Sequence, residues 1–292
     1  MNKSVIVLVA NGPYIPHVQS VMTNCRRQGN WQGDFCFVAA KDVDTSPLAD
    51  RGIDIMHAPD DKWTMMTKFH VFSDYFKRWD RVLCIDCDVI IQGDLNLACD
   101  KLAEKLPAIC CDGGTQIEDG PVVRQWEHFD DHYGQGKGRA AHPELYDKLY
   151  KQFDCMDKLA YSIDIIFFDP TTIHDGTVER LQAMHREFYD ANLFCTDQPI
   201  IVTAFYDQMT PITKEFGCWF PFDEPSHRVA SRGWTGNEEP VILHYFGWFA
   251  PWLKKQEGAG GHKNYRLDRV CHELYAENLA AFDEEFPITK GE

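Results

Sequence analysis

Arg81-Val82-Leu83-Cys84-Ile85-Asp86-Cys87-Asp88 is a short apolar run that ends in two carboxylates separated by one residue. A continuous apolar run of this length reads as a strand buried on both faces. In open α/β sheets, ligands bind just past the carboxyl ends of the strands. Two carboxylates placed there can hold a divalent cation. A cation in such a crevice most often binds a phosphate or diphosphate. The run therefore points to an enzyme that handles a nucleotide-linked substrate.

Similar apolar runs recur along the chain. Strands are expected over Val5–Val9, Phe35–Ala39, Arg81–Ile85, Ala108–Cys111, Tyr161–Phe168 and Val241–Leu243. Between them, 3.6-residue periodicity predicts helices over Ile15–Arg27, Trp63–Arg78, Pro143–Lys158, Val178–Asn192 and Arg266–Ala281. In Val178–Asn192, for example, Leu181, Met184 and Phe188 share one face. Alternating strands and helices imply βαβ units and a mainly parallel sheet flanked by helices. The stretch Gly113–His142 has little periodicity and reads as a lid or a long excursion. Gly258–Gly261 breaks the chain before the last helix. We divide the chain into a catalytic domain, 1–253, and a C-terminal helical extension, 254–292.

The 292 residues suit one large α/β domain or two small ones, and 44% hydrophobic content is enough for a sizeable core. A net charge of −16 argues against nucleic acid or an anionic membrane as partner. The eleven cysteines are odd in number and scattered. Cys84 and Cys87 flank Asp86 and read as packing, with no second C-x-x-C to complete a zinc site. Unpaired cysteines suit a reducing compartment, so a cytoplasmic location is expected. The apolar start stops at Asn11 and reads as a strand rather than a signal peptide. No stretch is long enough to span a bilayer.

Four further segments bear on Asp86 and Asp88. Ala10-Asn11-Gly12-Pro13-Tyr14 is a turn that follows the first strand and opens a helix. Thr67-Lys68-Phe69-His70 leads into the carboxylate strand. Thr196-Asp197-Gln198 opens another helix, where an acidic residue also suits the positive helix end. His244 to Trp252 follows the Val241–Leu243 strand. The spacing of Asp86 and Asp88 alone is weak evidence, because Asp42 and Asp44 share it and also follow a strand. Such pairs are often turn or helix caps. Asp86, Asp88 and His244 can converge on one cation. Two oxygens and one imidazole suit Mn²⁺ better than Mg²⁺.

Together these segments resemble glycosyltransferase family 8, the retaining GT-A group that includes glycogenin and bacterial galactosyltransferases. The resemblance runs from Val5 to about Trp252 and implies a GT-A fold with a Rossmann-like sheet. It implies that Ala10, Asn11 and Tyr14 meet the nucleoside, with the Tyr14 ring against uracil. Lys68 matches the lysine of the T-K-L-H segment. Asp86, Cys87 and Asp88 match the D-x-D motif, and His244 the third metal ligand. Gly247, Pro251 and Trp252 match H-x-x-G-x-K-P-W. Asp197 and Gln198 match the D-Q pair near the transferred sugar, and Asp164 is a second-rank catalytic candidate. The implied donor is a UDP-hexose, most often UDP-glucose or UDP-galactose, and the implied cofactor is Mn²⁺, with Mg²⁺ as the alternative.

Three positions depart from the family pattern. Ala250 replaces a phosphate-binding lysine. Gly12 stands where an acidic residue often helps bind uracil. Ser162-Ile163-Asp164 replaces an Asn-Ser/Ala-Gly segment that faces the sugar. Ala250 keeps open a non-catalytic nucleotide-sugar binder or scaffold on the same fold. A sugar nucleotidyltransferase is the other alternative, but it would usually carry a Gly-rich basic loop after strand one, which Asn11-Gly12-Pro13 is not. Trp248 and Trp252 read as core or sugar-stacking rings, Met65 and Met66 as packing, and the pairs at Asp60-Asp61 and Asp130-Asp131 as solvated loops. The acceptor, whether glycan, protein or small molecule, is not legible, nor is the oligomeric state.

Overall fold

The first strand, β1 (Ser4–Val9), buries Val5, Ile6, Val7 and Leu8 completely. In this computed structural model, which describes residues 3–113, 121–127, 138–191, 197–212, 241–244 and 265–289, alternate residues of β1 enter two different cores. Val5 and Val7 join one with Phe69, Phe72 and Trp126, and Ile6 and Leu8 join the other with Val18 and Met22. The period of two and burial on both faces together explain why the run is uninterrupted. The same division holds for Leu83 against Val82 and Cys84, and for Ile165 against Ile166.

Around β1 lie β2 (Asp34–Ala39), β3 (Asp54–His57), β4 (Arg81–Ile85), β6 (Ile109–Gly113), β7 (Tyr161–Phe168) and β8 (Met209–Pro211). With β1 they form a seven-stranded sheet in the order β3-β2-β1-β4-β7-β6-β8. Only β7 runs against its neighbours; the other pairs are parallel. The mainly parallel sheet expected from the alternation is therefore present. The short strands β5 (Val89–Ile91) and β9 (Ile242–His244) pair antiparallel as a separate ribbon, with Val89 opposite His244. The Val241–Leu243 run thus lies in this ribbon, shifted by one residue, rather than in the main sheet.

Helix α1 (Ile15–Arg27) starts with Pro16 inside its first turn and covers one sheet face, as Pro tolerates only early helix positions. Its Asn24 is buried and clips β5 in place. The Asn24 side-chain amide donates to the Ile91 carbonyl at 3.1 Å and accepts from the Ile91 N–H at 2.5 Å. Asn24→Ala would strand both buried groups. We expect a loss of about 2–4 kcal/mol in urea unfolding, and a change below about 0.5 kcal/mol would refute the clip.

Helix α2 (Leu95–Ala103) is capped by Asp94, whose carboxylate accepts from the Leu97 N–H at 2.9 Å. Helix α3 (Val122–Glu127) lies inside the stretch read as a lid or a long excursion, and Val122, Val123 and Trp126 bury it; one and a half turns are too few to show periodicity. Helix α4 (Pro143–Gln152) ends six residues before the expected Lys158, because Phe153 turns to extended backbone and Cys155 and Met156 enter the core. Helix α5 (Thr177–Glu187) gives way to a 3-10 turn, Tyr189–Ala191, short of the expected Asn192.

The helix expected over Trp63–Arg78 is instead two 3-10 segments, Met65–Phe72 and Asp74–Arg78, parted at an extended Ser73. An amphipathic α-helix buries every third or fourth residue. Here Thr67 to Phe72 are all buried, including three polar side chains, Thr67, Lys68 and His70, that each need a partner, so packing overrides the helical pattern. Helix α6 (Asp197–Phe205) covers the face opposite α1. The last helices, α7 (Tyr265–Ala280) and α8 (Phe282–Glu285), pack along α1. Arg27 bonds Glu284 and Glu285, and Phe282 and Phe286 enter the core beside Phe35.

Candidate active site

Asp86, Cys87 and Asp88 form the connection from β4 to β5. The Asp86 N–H donates to the Asp164 carbonyl at 3.0 Å, carrying the β4–β7 pairing one step beyond the strand. This bond fixes the direction in which Asp86 leaves the sheet. The Lys68 ammonium donates to Asp86 Oδ1 at 2.6 Å and to the Ile163 carbonyl at 3.0 Å. Burial by itself lowers the Lys68 pKa, but Asp86, and then Cys84, Asp197 and Asp164, hold it well above the ordinary lysine value. Lys68 is thus the cationic hub of a carboxylate cluster.

Asp164 sits on β7 and accepts from Ser162 Oγ at 2.6 Å. Asp197 opens α6, and burial raises its carboxyl pKa, with Lys68 pulling the other way and Asp164 adding to the rise. A half-buried carboxyl whose pKa is raised by desolvation beside a specific charge partner is a functional candidate. Gln198 is half-buried beside it. The structure therefore brings Lys68, Asp86, Asp164 and Asp197 into one electrostatic neighbourhood, from four elements far apart in sequence.

Asp197→Asn tests the cost of that burial. A raised folded pKa stabilises the protein fully below the unfolded value, about pH 4. That contribution is lost as pH rises through the folded pKa. The asparagine variant is therefore expected to melt at or above wild type at pH 7 and to lose the advantage near pH 4, while transfer falls. A variant that melts lower at pH 7 would contradict this.

Next to this cluster lies the turn after β1. Ala10 is buried. The Asn11 carbonyl accepts from the Tyr14 N–H at 3.0 Å. Asn11 Oδ1 is buried and has no hydrogen-bond partner among the described residues. An unmet buried acceptor costs about 1–3 kcal/mol, which makes this oxygen a candidate binding group. Tyr14, exposed beside it, has its hydroxyl pKa raised by burial, then by Cys87 and Asp88. The nucleoside-side and carboxylate-side candidates are therefore neighbours.

Among the described residues no three His, Cys, Asp or Glu side chains are grouped as a metal centre. The backbone places His244 opposite Val89, the residue after Asp88, and its side chain lies outside the described residues. Gly247, Trp248, Ala250, Pro251, Trp252, Thr196 and Asp130-Asp131 also lie outside them. No described helix is long and apolar enough to cross a membrane.

The competing pair resolves differently. Asp42 accepts from the Trp63 N–H at 2.8 Å and so ties two loops 21 residues apart, while Asp44 accepts from the Ser46 N–H at 3.0 Å as a turn cap. Asp60 is not the solvated loop residue expected from sequence. Its Oδ2 accepts from Thr67 Oγ1 at 3.3 Å and sits 3.0 Å from His70 Nε2, anchoring the segment that carries Lys68. Asp61 is exposed and pairs with Lys41. The eight cysteines whose side chains are described are free and buried. Burial pushes the Cys84 thiol up to about 12 and Cys87 well above its usual value, so neither is a reactive thiolate. Sequence reasoning missed Ser162 as the partner of Asp164, and it missed Asp60 and His70. Only the latter pair left a signal, a buried histidine close in sequence to the lysine.

A Rossmann-like sheet with one reversed strand, and a carboxylate pair past its fourth strand, is the architecture of GT-A glycosyltransferases. The chain belongs to glycosyltransferase family 8, whose model matches residues 54–256. As such it takes a sugar donor and an acceptor. Among solved structures, it is similar to galactosyltransferase LgtC in complex with donor and acceptor sugar analogues, at 14% identity and a TM-score of 0.62, covering 94% of this chain and 95% of that one. It is similar to glycosyltransferase GlyE of Streptococcus pneumoniae TIGR4 at 16% identity and a TM-score of 0.59, covering 100% of this chain and 66% of that one. The bifunctional glycosyltransferase WbbM aligns at 15% identity and a TM-score of 0.57, with 51% of its length covered. These identities speak for a shared fold. No curated protein matches the sequence.

Proposed function

We propose that this chain transfers a hexose from a UDP-linked donor, with retention at the anomeric carbon, to an acceptor hydroxyl. The observation that carries this reading is an unmet buried acceptor, Asn11 Oδ1, in the same turn as Tyr14, whose hydroxyl feels the charge of Asp88. A nucleoside diphosphate has both the N–H and O–H donors that Asn11 lacks and the charge that a cation between carboxylates attracts. The likeness to LgtC, which was solved with donor and acceptor sugar analogues, supports the reading.

The donor set fits a divalent cation. Asp86 and Asp88 supply hard oxygens, and β9 brings His244 beside them along the backbone. Two carboxylates and an imidazole favour Mn²⁺. When bound, such a cation stabilises the charge that gathers on the departing diphosphate.

The chain's own residues do the rest. The Tyr14 ring backs uracil and Asn11 accepts from the nucleoside. Lys68 holds Asp86 in place and keeps the carboxylates from repelling one another. In transfer, the bond from the anomeric carbon to the diphosphate oxygen breaks and its electron pair stays on that oxygen. The acceptor oxygen bonds to the carbon, and its proton passes to the diphosphate. Asp197 and Gln198 supply the carboxylate and amide that would stabilise the oxocarbenium-like centre.

The test is turnover of a panel of UDP-hexoses with Mn²⁺ and with chelator. Metal-dependent release of UDP is expected. Metal-dependent UDP binding with no turnover for any sugar would favour the second reading, a non-catalytic binder. Ala250, in place of a phosphate-binding lysine, is the feature that supports it. Under that reading Ala250→Lys should awaken hydrolysis.

A further inference from the structure

We propose that Tyr275, on the C-terminal helix α7, is a positioning residue of the donor site: acting through His17, it holds the Tyr14 ring that carries the nucleobase. The inference rests on the reading of Tyr14 as the base platform.

Tyr14 is 39% exposed, at the end of the 3-10 turn Gly12–Tyr14 just past β1. A ring that exposed presents one fixed face only if something backs it. His17 lies three residues on, where a helix brings side chains together. Its ring sits 4.9 Å from that of Tyr14, with planes 40° apart. Tyr275 packs on His17 in turn, at 5.3 Å and 43°. Both spacings fall in the range where tilted aromatic pairs attract.

The far end of this ladder is itself fixed. The Tyr275 carbonyl accepts from Ser20 Oγ of α1 at 3.1 Å. Beyond it, Arg51 donates to the Phe286 carbonyl at 2.5 Å and pairs with Asp283. Three rings from three elements are thus tied in series to one anchored helix.

The ladder also borders the carboxylate pair. Burial raises the Tyr275 hydroxyl pKa, and the Cys87 thiol adds to the rise, as it does at Tyr14. A plain packing cluster would close on itself in the core. This one runs from an anchored helix to an exposed ring beside Asn11, along Cys87 and Asp88.

Calorimetric binding of UDP and of inorganic pyrophosphate, each with Mn²⁺, tests this on the full chain. The variants are Tyr275→Ala and Tyr275→Phe, and donor KM and kcat are measured alongside. Tyr275→Ala is expected to weaken UDP about three- to tenfold. It should leave pyrophosphate within about twofold, and raise KM with kcat unchanged. Tyr275→Phe, which keeps the ring, should restore wild-type affinity. If the alanine variant does not fold, Tyr275→Leu carries the same comparison. Equal weakening of both ligands, or no weakening of UDP, overturns the inference while the donor-site reading stands. Failure of the wild type to bind UDP overturns both.

Discussion

Asp86→Ala is expected to abolish metal-dependent UDP binding and to cut transfer by about 10²–10³-fold or more, the scale of losing one well-placed electrostatic contact in a closed site. The fold should survive. Asp86 is one of three carboxylates around a single ammonium, with Asp164 and Asp197 as the others. Removing one leaves Lys68 with two counter-charges and relieves repulsion among the carboxylates. The backbone bond from Asp86 to Asp164 does not involve the side chain. Unfolding free energy in chelator should therefore fall by less than the ~3–5 kcal/mol typical of breaking a buried pair from one side. Titration of UDP against Mn²⁺-loaded protein checks the first part, and urea unfolding the second. Retained affinity would remove Asp86 from the ligand set. Affinity and fold lost together would make it a structural residue.

Lys68→Met carries the second large effect, with the opposite signature in stability. Methionine matches the length of the lysine stem but strips the charge from a cluster in which Asp86 is bonded at 2.6 Å and Asp164 and Asp197 lie near. It also leaves the buried Ile163 carbonyl without its donor. Breaking a buried ion pair from one side typically costs about 3–5 kcal/mol. A loss of that size is expected in urea unfolding, with transfer lost as well. The double variant Lys68→Met with Asp86→Leu should regain part of the stability and none of the activity, since it removes the stranded charge. If Lys68→Met unfolds like wild type, the cluster is too wet for Lys68 to be its hub.

The contrast between these two variants shows what the sequence carried and what it did not. Asp86 was legible because a strand-end carboxylate pair needs only a local pattern. Lys68 was found through the family motif, yet its role as counter-ion depends on Asp164 and Asp197, which reach it from β7 and α6. No window of sequence contains that arrangement. The strands β1, β4 and β7 were readable because burial on both faces leaves an unbroken apolar run. The direction of β7 was not, since such a run looks the same either way. The segments β5 and β8 are three residues each, too short to show a period. Met65–Phe72 misled because its apolar content suited a helix while all-round burial forced a tighter, broken path.

The ribbon of β5 and β9 divides the proposed ligand set unequally. Asp86 and Asp88 hang from the main sheet, and Asn24 clips the strand that follows them to α1. His244 arrives on β9, which pairs with β5 over three residues and is continued by Val241, whose carbonyl accepts from the Gln92 and Gly93 N–H groups. Ile242 is fully buried in the core and pins that ribbon, so the cheapest opening is at its far end, where His244 sits. Capture of a cation would then proceed in two kinetic phases, docking on the fixed carboxylates first and strand closure second. The apparent affinity for nucleotide would include the work of zipping that end. Amide exchange at Leu243 would read that work directly.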